Sequence, residues 1–165
     1  MRSDFSSTVV CALVPVLLAA VVGCGIRPSG VSDAGEAPTG VAPGMTLYFV
    51  DDNDELRPQF RRTQRLGTVS DAVSLLLTGP GDSGVRTEIA STSVTSVEVT
   101  THPEAIELRV PLDIDDVTPM GIDQIVCTAR TSHVQNGGSD RTRVRIRFVQ
   151  FTPESEVHRT CPLYE

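Results

Sequence analysis

From Val9 to Val22 the chain runs without a charge, and the run closes on Gly23-Cys24. As a helix rising 1.5 Å per residue it would extend about 21 Å, short of the roughly 30 Å hydrocarbon core of a bilayer. A short apolar stretch behind Arg2 and the α-amino group, ended by small residues, has the layout of a secretory signal peptide rather than a membrane span. Residues 25–44 follow with recurrent Gly and Pro and no apolar period. Such a segment buries too little surface to offset its ordering entropy, and reads as a tether on the order of 25 Å long. A folded domain must therefore be built from residues 45–165, enough for one core and not two.

The end of the apolar run, Val21-Val22-Gly23-Cys24, resembles the bacterial lipobox: an aliphatic residue three before the Cys and a small residue just before it. The resemblance implies that diacylglycerol is attached to the Cys24 thiol and that the chain is cut after Gly23. Two acyl chains give durable anchoring where one is marginal. The expected layout is a signal peptide over 1–23, a lipid anchor and tether over 24–44, and a domain over 45–165. The expected place is the outer face of the cytoplasmic membrane. An ordinary secretory signal with an incidental Cys, or an uncleaved anchor, remains the alternative.

Charge narrows the partners. All 14 basic residues are Arg, against 21 Asp and Glu, for a net charge of −7. General nucleic-acid binding needs the opposite balance, so no nucleic-acid partner is expected. Trp is absent and aromatics are 4% of the chain, so no aromatic sugar platform is evident.

Of the four cysteines, Cys11 belongs to the signal and Cys24 to the anchor. The remaining pair, Cys127 and Cys161, is most simply a disulfide in an exported chain. A metal site is the rival. His158 lies three residues before Cys161, but two or more further ligands would be missing.

The domain reads as alternating strands and helices. Thr46 to Val50 is dense in β-formers and runs into Asp51-Asp52-Asn53-Asp54, a turn, with Leu56 to Thr63 returning beside it. Thr68 is an N-cap signal, and Val69, Ala72, Val73 and Leu76 follow helical spacing up to the stop at Gly79-Pro80. Val94 to Thr101 and Ala105 to Val110 alternate as a hairpin about His102-Pro103-Glu104. Thr118-Pro119 opens a second helix with Ile122, Ile125, Val126 and Ala129 as its stripe, and Arg141 to Phe151 is the last strand. The order ββαββαβ predicts an α+β fold: a small antiparallel or mixed sheet of about five strands with two helices on one face.

Three stretches in this order resemble the GerMN domain of sporulation and spore-germination lipoproteins of Gram-positive bacteria. They are Leu47-Tyr48-Phe49-Val50, Leu75-Leu76-Leu77-Thr78-Gly79-Pro80 and Gln124-Ile125-Val126-Cys127-Thr128-Ala129. The resemblance spans roughly residues 45–130 and implies an extracytoplasmic module for assembly or envelope contacts. It implies no catalytic residues. The chain departs from the pattern in holding one copy where some members hold two, and in its tail over 150–165.

Asp51 to Glu55 would make a poor calcium loop, because the sixth position is Leu56 where Gly is wanted, and a hairpin turn accounts for it. Asp113, Asp115 and Asp116 fit the entry to the second helix. No metal and no cofactor is expected. Arg141, Arg143, Arg145 and Arg147 alternate with Thr142, Val144, Ile146 and Phe148, which puts the guanidiniums on one strand face. Arg143, Arg145 and Arg147 are thus candidate contacts for an anion or an acidic partner, or else a ladder against Glu98 and Glu107. His102, His133 and His158 fall in a turn, a loop and the tail, and no hydrolase elbow or zinc-protease motif is present. The expected function is a non-catalytic, membrane-anchored interaction module with an envelope-protein or cell-wall partner. A wall-hydrolase type of enzyme and a small-ligand-binding lipoprotein are the alternatives.

Overall fold

The computed structural model describes residues 43–164. The apolar segment, Cys24 and the tether up to residue 42 lie outside the described residues. Among those described, no helix is long and apolar enough to cross a membrane.

The chain forms β1 (Gly44–Val50), β2 (Leu56–Arg62), α1 (Val69–Leu77), β3 (Glu98–Thr101), β4 (Ala105–Arg109), α2 (Pro119–Gln135), β5 (Arg143–Arg147) and β6 (His158–Arg159). This is the expected α+β order with one short strand added in the tail. The strands divide into two sheets, β1-β2 and β3-β4-β5-β6, rather than one. Only β4 and β5 run parallel, joined through α2 as a crossover. Two strands are shorter than the alternation suggested. Val94 to Val97 are irregular, and the last long strand stops at Arg147 instead of Phe151.

Both helices start as their caps dictate. Thr68 and Asp71 form a reciprocal capping box at α1, and the Thr118 hydroxyl accepts from the Gly121 amide at α2, with Pro119 in the first turn. Gly79 takes φ 87°, the left-handed position after α1 that side chains resist. The expected stripe of α2 is buried throughout: Ile122, Ile125, Val126 and Ala129. α1 packs against α2, β1 and β3, and α2 packs against β1 and β5. Gly121 lets α2 approach closely, since a Cβ there would collide with the Glu88 carbonyl oxygen.

β1 explains why there are two sheets. Leu47, Tyr48, Phe49 and Val50 are all buried, so the strand is covered on both faces. One edge pairs with β2. The other is closed by α2, not by a strand: the Tyr48 amide donates to Thr128 Oγ1 at 3.1 Å, and Gln124 Nε2 donates to the Tyr48 carbonyl at 2.9 Å. Gln124 Oε1 also accepts from the Glu88 amide at 2.7 Å. Val50, at the end of the strand, exchanges both backbone bonds with Arg86. With those groups satisfied, the edge of β1 at Tyr48 and Val50 has no free ladder to offer the second sheet.

Cys127 on α2 and Cys161 in the tail are joined by a disulfide, with Cα atoms 4.8 Å apart. Both cysteines are buried.

Candidate functional site

The Arg strand is the feature of the sequence most able to become a site. In β5, Val144 and Ile146 are buried on the side that packs on α2, while Arg145 and Arg147 turn to the other face. The parallel register places Glu107 of β4 opposite Arg145. Its carboxylate pairs with Arg145 and lies 3.5 Å from Arg147 Nε. Glu156, from a 3-10 turn over Pro153–Glu156, completes the group at 3.2 Å from Arg145 Nη1 and 2.7 Å from Arg147 Nη1. Two guanidiniums thus share two carboxylates in a closed network. Hydrogen bonding from Arg145 holds the Glu107 carboxyl below the ordinary range. Glu98 pairs with Arg109 instead, at 3.4 Å on the sheet border.

Arg143 stands apart from that network. With Arg141 and His158 it lines an open groove of about 550 Å³, bounded by Pro103, Glu104, Ser139 and Thr142. Arg141 and Arg143 are exposed, and neither forms an ion pair among the described residues. The structure therefore splits the stripe: Arg145 and Arg147 are neutralised, while Arg143 joins a second cluster at the start of the strand.

The acidic run is a turn. Asp51 accepts from the amides of Asn53 and Glu55 at 2.8 and 3.0 Å and from Arg57 Nε at 2.7 Å. Asp54 takes φ 61°, the left-handed conformation that Asp tolerates in a tight turn. The Arg57 bond, helped by the two amides, lowers the Asp51 carboxyl from its ordinary 3.8 to about 2. The His102 backbone amide donates to the Ala105 carbonyl across its hairpin turn, His158 lies in β6, and His133, in the last turn of α2 rather than in a loop, meets the Thr142 hydroxyl at 3.3 Å. Among the described residues, no three His, Cys, Asp or Glu side chains are placed to hold a metal ion.

A polar cluster unforeseen in the sequence joins the tail to the core. The Tyr48 and Tyr164 hydroxyls share a hydrogen bond, Thr131 Oγ1 donates to Tyr48 at 3.3 Å, and the Arg130 guanidinium lies 4.6 Å from the Tyr164 ring centroid. Burial pushes the Tyr48 hydroxyl up to about 12. Neither Tyr164 nor Glu156 follows a period that would betray its partner; each is brought in by the folding back of the tail.

Asp51 and Glu107 set a pH dependence whose sign is fixed. A carboxyl held lower in the folded chain stabilises it above the ordinary carboxylate range, and that contribution is lost as pH falls toward the folded value. For Asp51 the window runs from 3.8 down to about 2. Urea midpoints should therefore drop across that window, and Asp51→Asn should flatten part of the slope. A variant with the unaltered slope would show that the turn does not report on folding.

No protein-family model matches the chain, and no curated protein or solved structure is significantly similar to it.

Proposed function

We propose that the protein is a lipid-anchored module on the outer face of the cytoplasmic membrane, acting by binding an envelope partner rather than by catalysis. The observation that carries the location is the Cys127–Cys161 disulfide. Such bonds persist outside the reducing cytoplasm, and this one uses up the two cysteines that a lipobox signal would leave in the mature domain. The binding role is favoured by how the shifted groups are employed: Asp51 in a turn, Asp71 in a helix cap, Glu107 in a sheet network and Tyr48 in a buried cluster. Each shift has a structural cause. Val149 and Phe151, 68% and 81% exposed just beyond β5, offer an apolar contact to a partner. The GerMN resemblance makes sporulation or germination the setting to examine first.

The test begins with Cys24→Ser. The unaltered chain should be processed and fractionate with membranes, and the variant should become soluble or accumulate as precursor. Normal processing with membrane retention of the variant would overturn the anchor. Photocrosslinking from position 151 in intact cells should then yield a discrete envelope-protein adduct, and its absence would count against the binding role.

A further inference from the structure

Charge is distributed unevenly along the domain. α2 runs antiparallel to β1, with Gln124 and Thr128 on Tyr48 and Gln135 on Thr46. Its C-terminus therefore lies beside the start of β1, where the chain enters the domain. Asn136 donates to the Gly67 carbonyl, and Gly67 packs on Met45. His133 meets Thr142, which stands between Arg141 and Arg143. The groove of Arg141, Arg143 and His158 thus belongs to the same end of the domain as Gly44.

Arg62, Arg65, Arg130, Arg141 and Arg143 lie at this end, and among the described residues Asp71, Glu104 and Asp140 are carboxylates near them. Asp71 is turned to its own helix cap. The opposite end reverses the sign. It holds the four acids of the Asp51–Glu55 turn, which Arg57 and Arg86 pair in part, together with Asp113, Asp115 and Asp116, while Arg109 and Arg147 there are paired with Glu98 and Glu156. The 17 residues of α2 separate the two ends by about 25 Å, some three screening lengths at physiological salt. A negative surface at the arginine end would feel little of the far acids.

We propose that this end, centred on Arg141, Arg143 and His158, is the face the domain lays on anionic lipid headgroups. The inference rests on the anchor reading in one respect: a chain tethered through residues 25–44 enters the domain at Gly44, so the basic end is the end at which the tether joins. The planar guanidinium fork matches a phosphate in pairs of hydrogen bonds, and neither Arg141 nor Arg143 has a carboxylate to give up first.

Vesicle sedimentation tests it apart from the anchor. The chain from residue 24 with Cys24→Ser contains the whole core, Met45 to Cys161, and has neither the apolar run nor an acylation site. At physiological salt it should bind vesicles of equal parts phosphatidylglycerol and phosphatidylcholine, and not phosphatidylcholine alone. A basic residue near such a surface contributes about fivefold, so Arg141→Gln with Arg143→Gln should weaken partitioning roughly 30-fold. Arg57→Gln, at the far end, should change it less than about twofold. Both altered arginines are exposed, and an unchanged melting temperature verifies the fold. Equal binding to the two vesicle types, no binding, or an unaffected double variant would overturn the proposal. So would arginine-dependent binding to a soluble polyphosphodiester without vesicle binding, which would assign the face to a wall polymer. None of these outcomes depends on whether Cys24 is acylated.

Discussion

Removing the disulfide, as Cys127→Ala with Cys161→Ala, should lower the melting temperature by about 10–15 °C. The bond closes a loop with a sequence separation of 34 residues. In the chain-entropy account a loop of that length restricts the unfolded state by roughly 3–4 kcal/mol, which a domain of this size registers as a shift of that order. The loss should also be local. Released from α2, the tail would free Glu156 from Arg145 and Arg147, and Tyr164 from Tyr48. Hydrogen exchange should therefore quicken at His158 and Arg159 in β6 before β5 is affected. Alkylation of the native protein should find neither cysteine, since both are buried and bonded. Two reactive thiols in the native protein, or a melting temperature within about 2 °C of the original, would contradict this account.

The second large effect is expected at Gln124. Replacement by Leu keeps the bulk but leaves the Tyr48 carbonyl and the Glu88 amide without partners in the core. Each buried, unpaired group costs about 1–3 kcal/mol, so the variant should lose roughly 2–5 kcal/mol. The urea midpoint should fall with an unchanged slope, as for a destabilised but still cooperative fold. Thr128→Val removes only the acceptor for the Tyr48 amide and should cost less, about 1–3 kcal/mol. A loss below about 0.5 kcal/mol for Gln124→Leu would mean that the β1 edge finds other partners.

Both effects concern tertiary bonds, yet they were not equally visible in advance. The disulfide was legible because only two cysteines remain once the signal and lipobox cysteines are set aside, and an exported chain pairs them. Gln124 was not. A helical period marks it only as a polar residue between Asp123 and Ile125, and it is fully buried because the strand edge it satisfies comes from 76 residues away.

The local code was sufficient wherever a few neighbouring residues settle the matter. Thr68 with Asp71, Thr118 with Pro119, and Gly79 before Pro80 set the helix ends through bonds and dihedral limits internal to each segment. Alternation in β5 likewise separated its buried Val144 and Ile146 from its arginines. Only the tertiary structure decided what those arginines meet. Glu107 reaches Arg145 through the parallel register of β4 and β5, and Glu156 arrives through a tail that Cys161 draws back onto α2. It also decided that β1 and β5 belong to different sheets, since hydrogen bonds from helix side chains closed the edge that another strand would have used. Local dihedral and capping preferences act over a few residues and can be read along the chain. Strand pairing, ion-pair choice and edge closure depend on which distant groups fold into reach, and a linear pattern does not carry that.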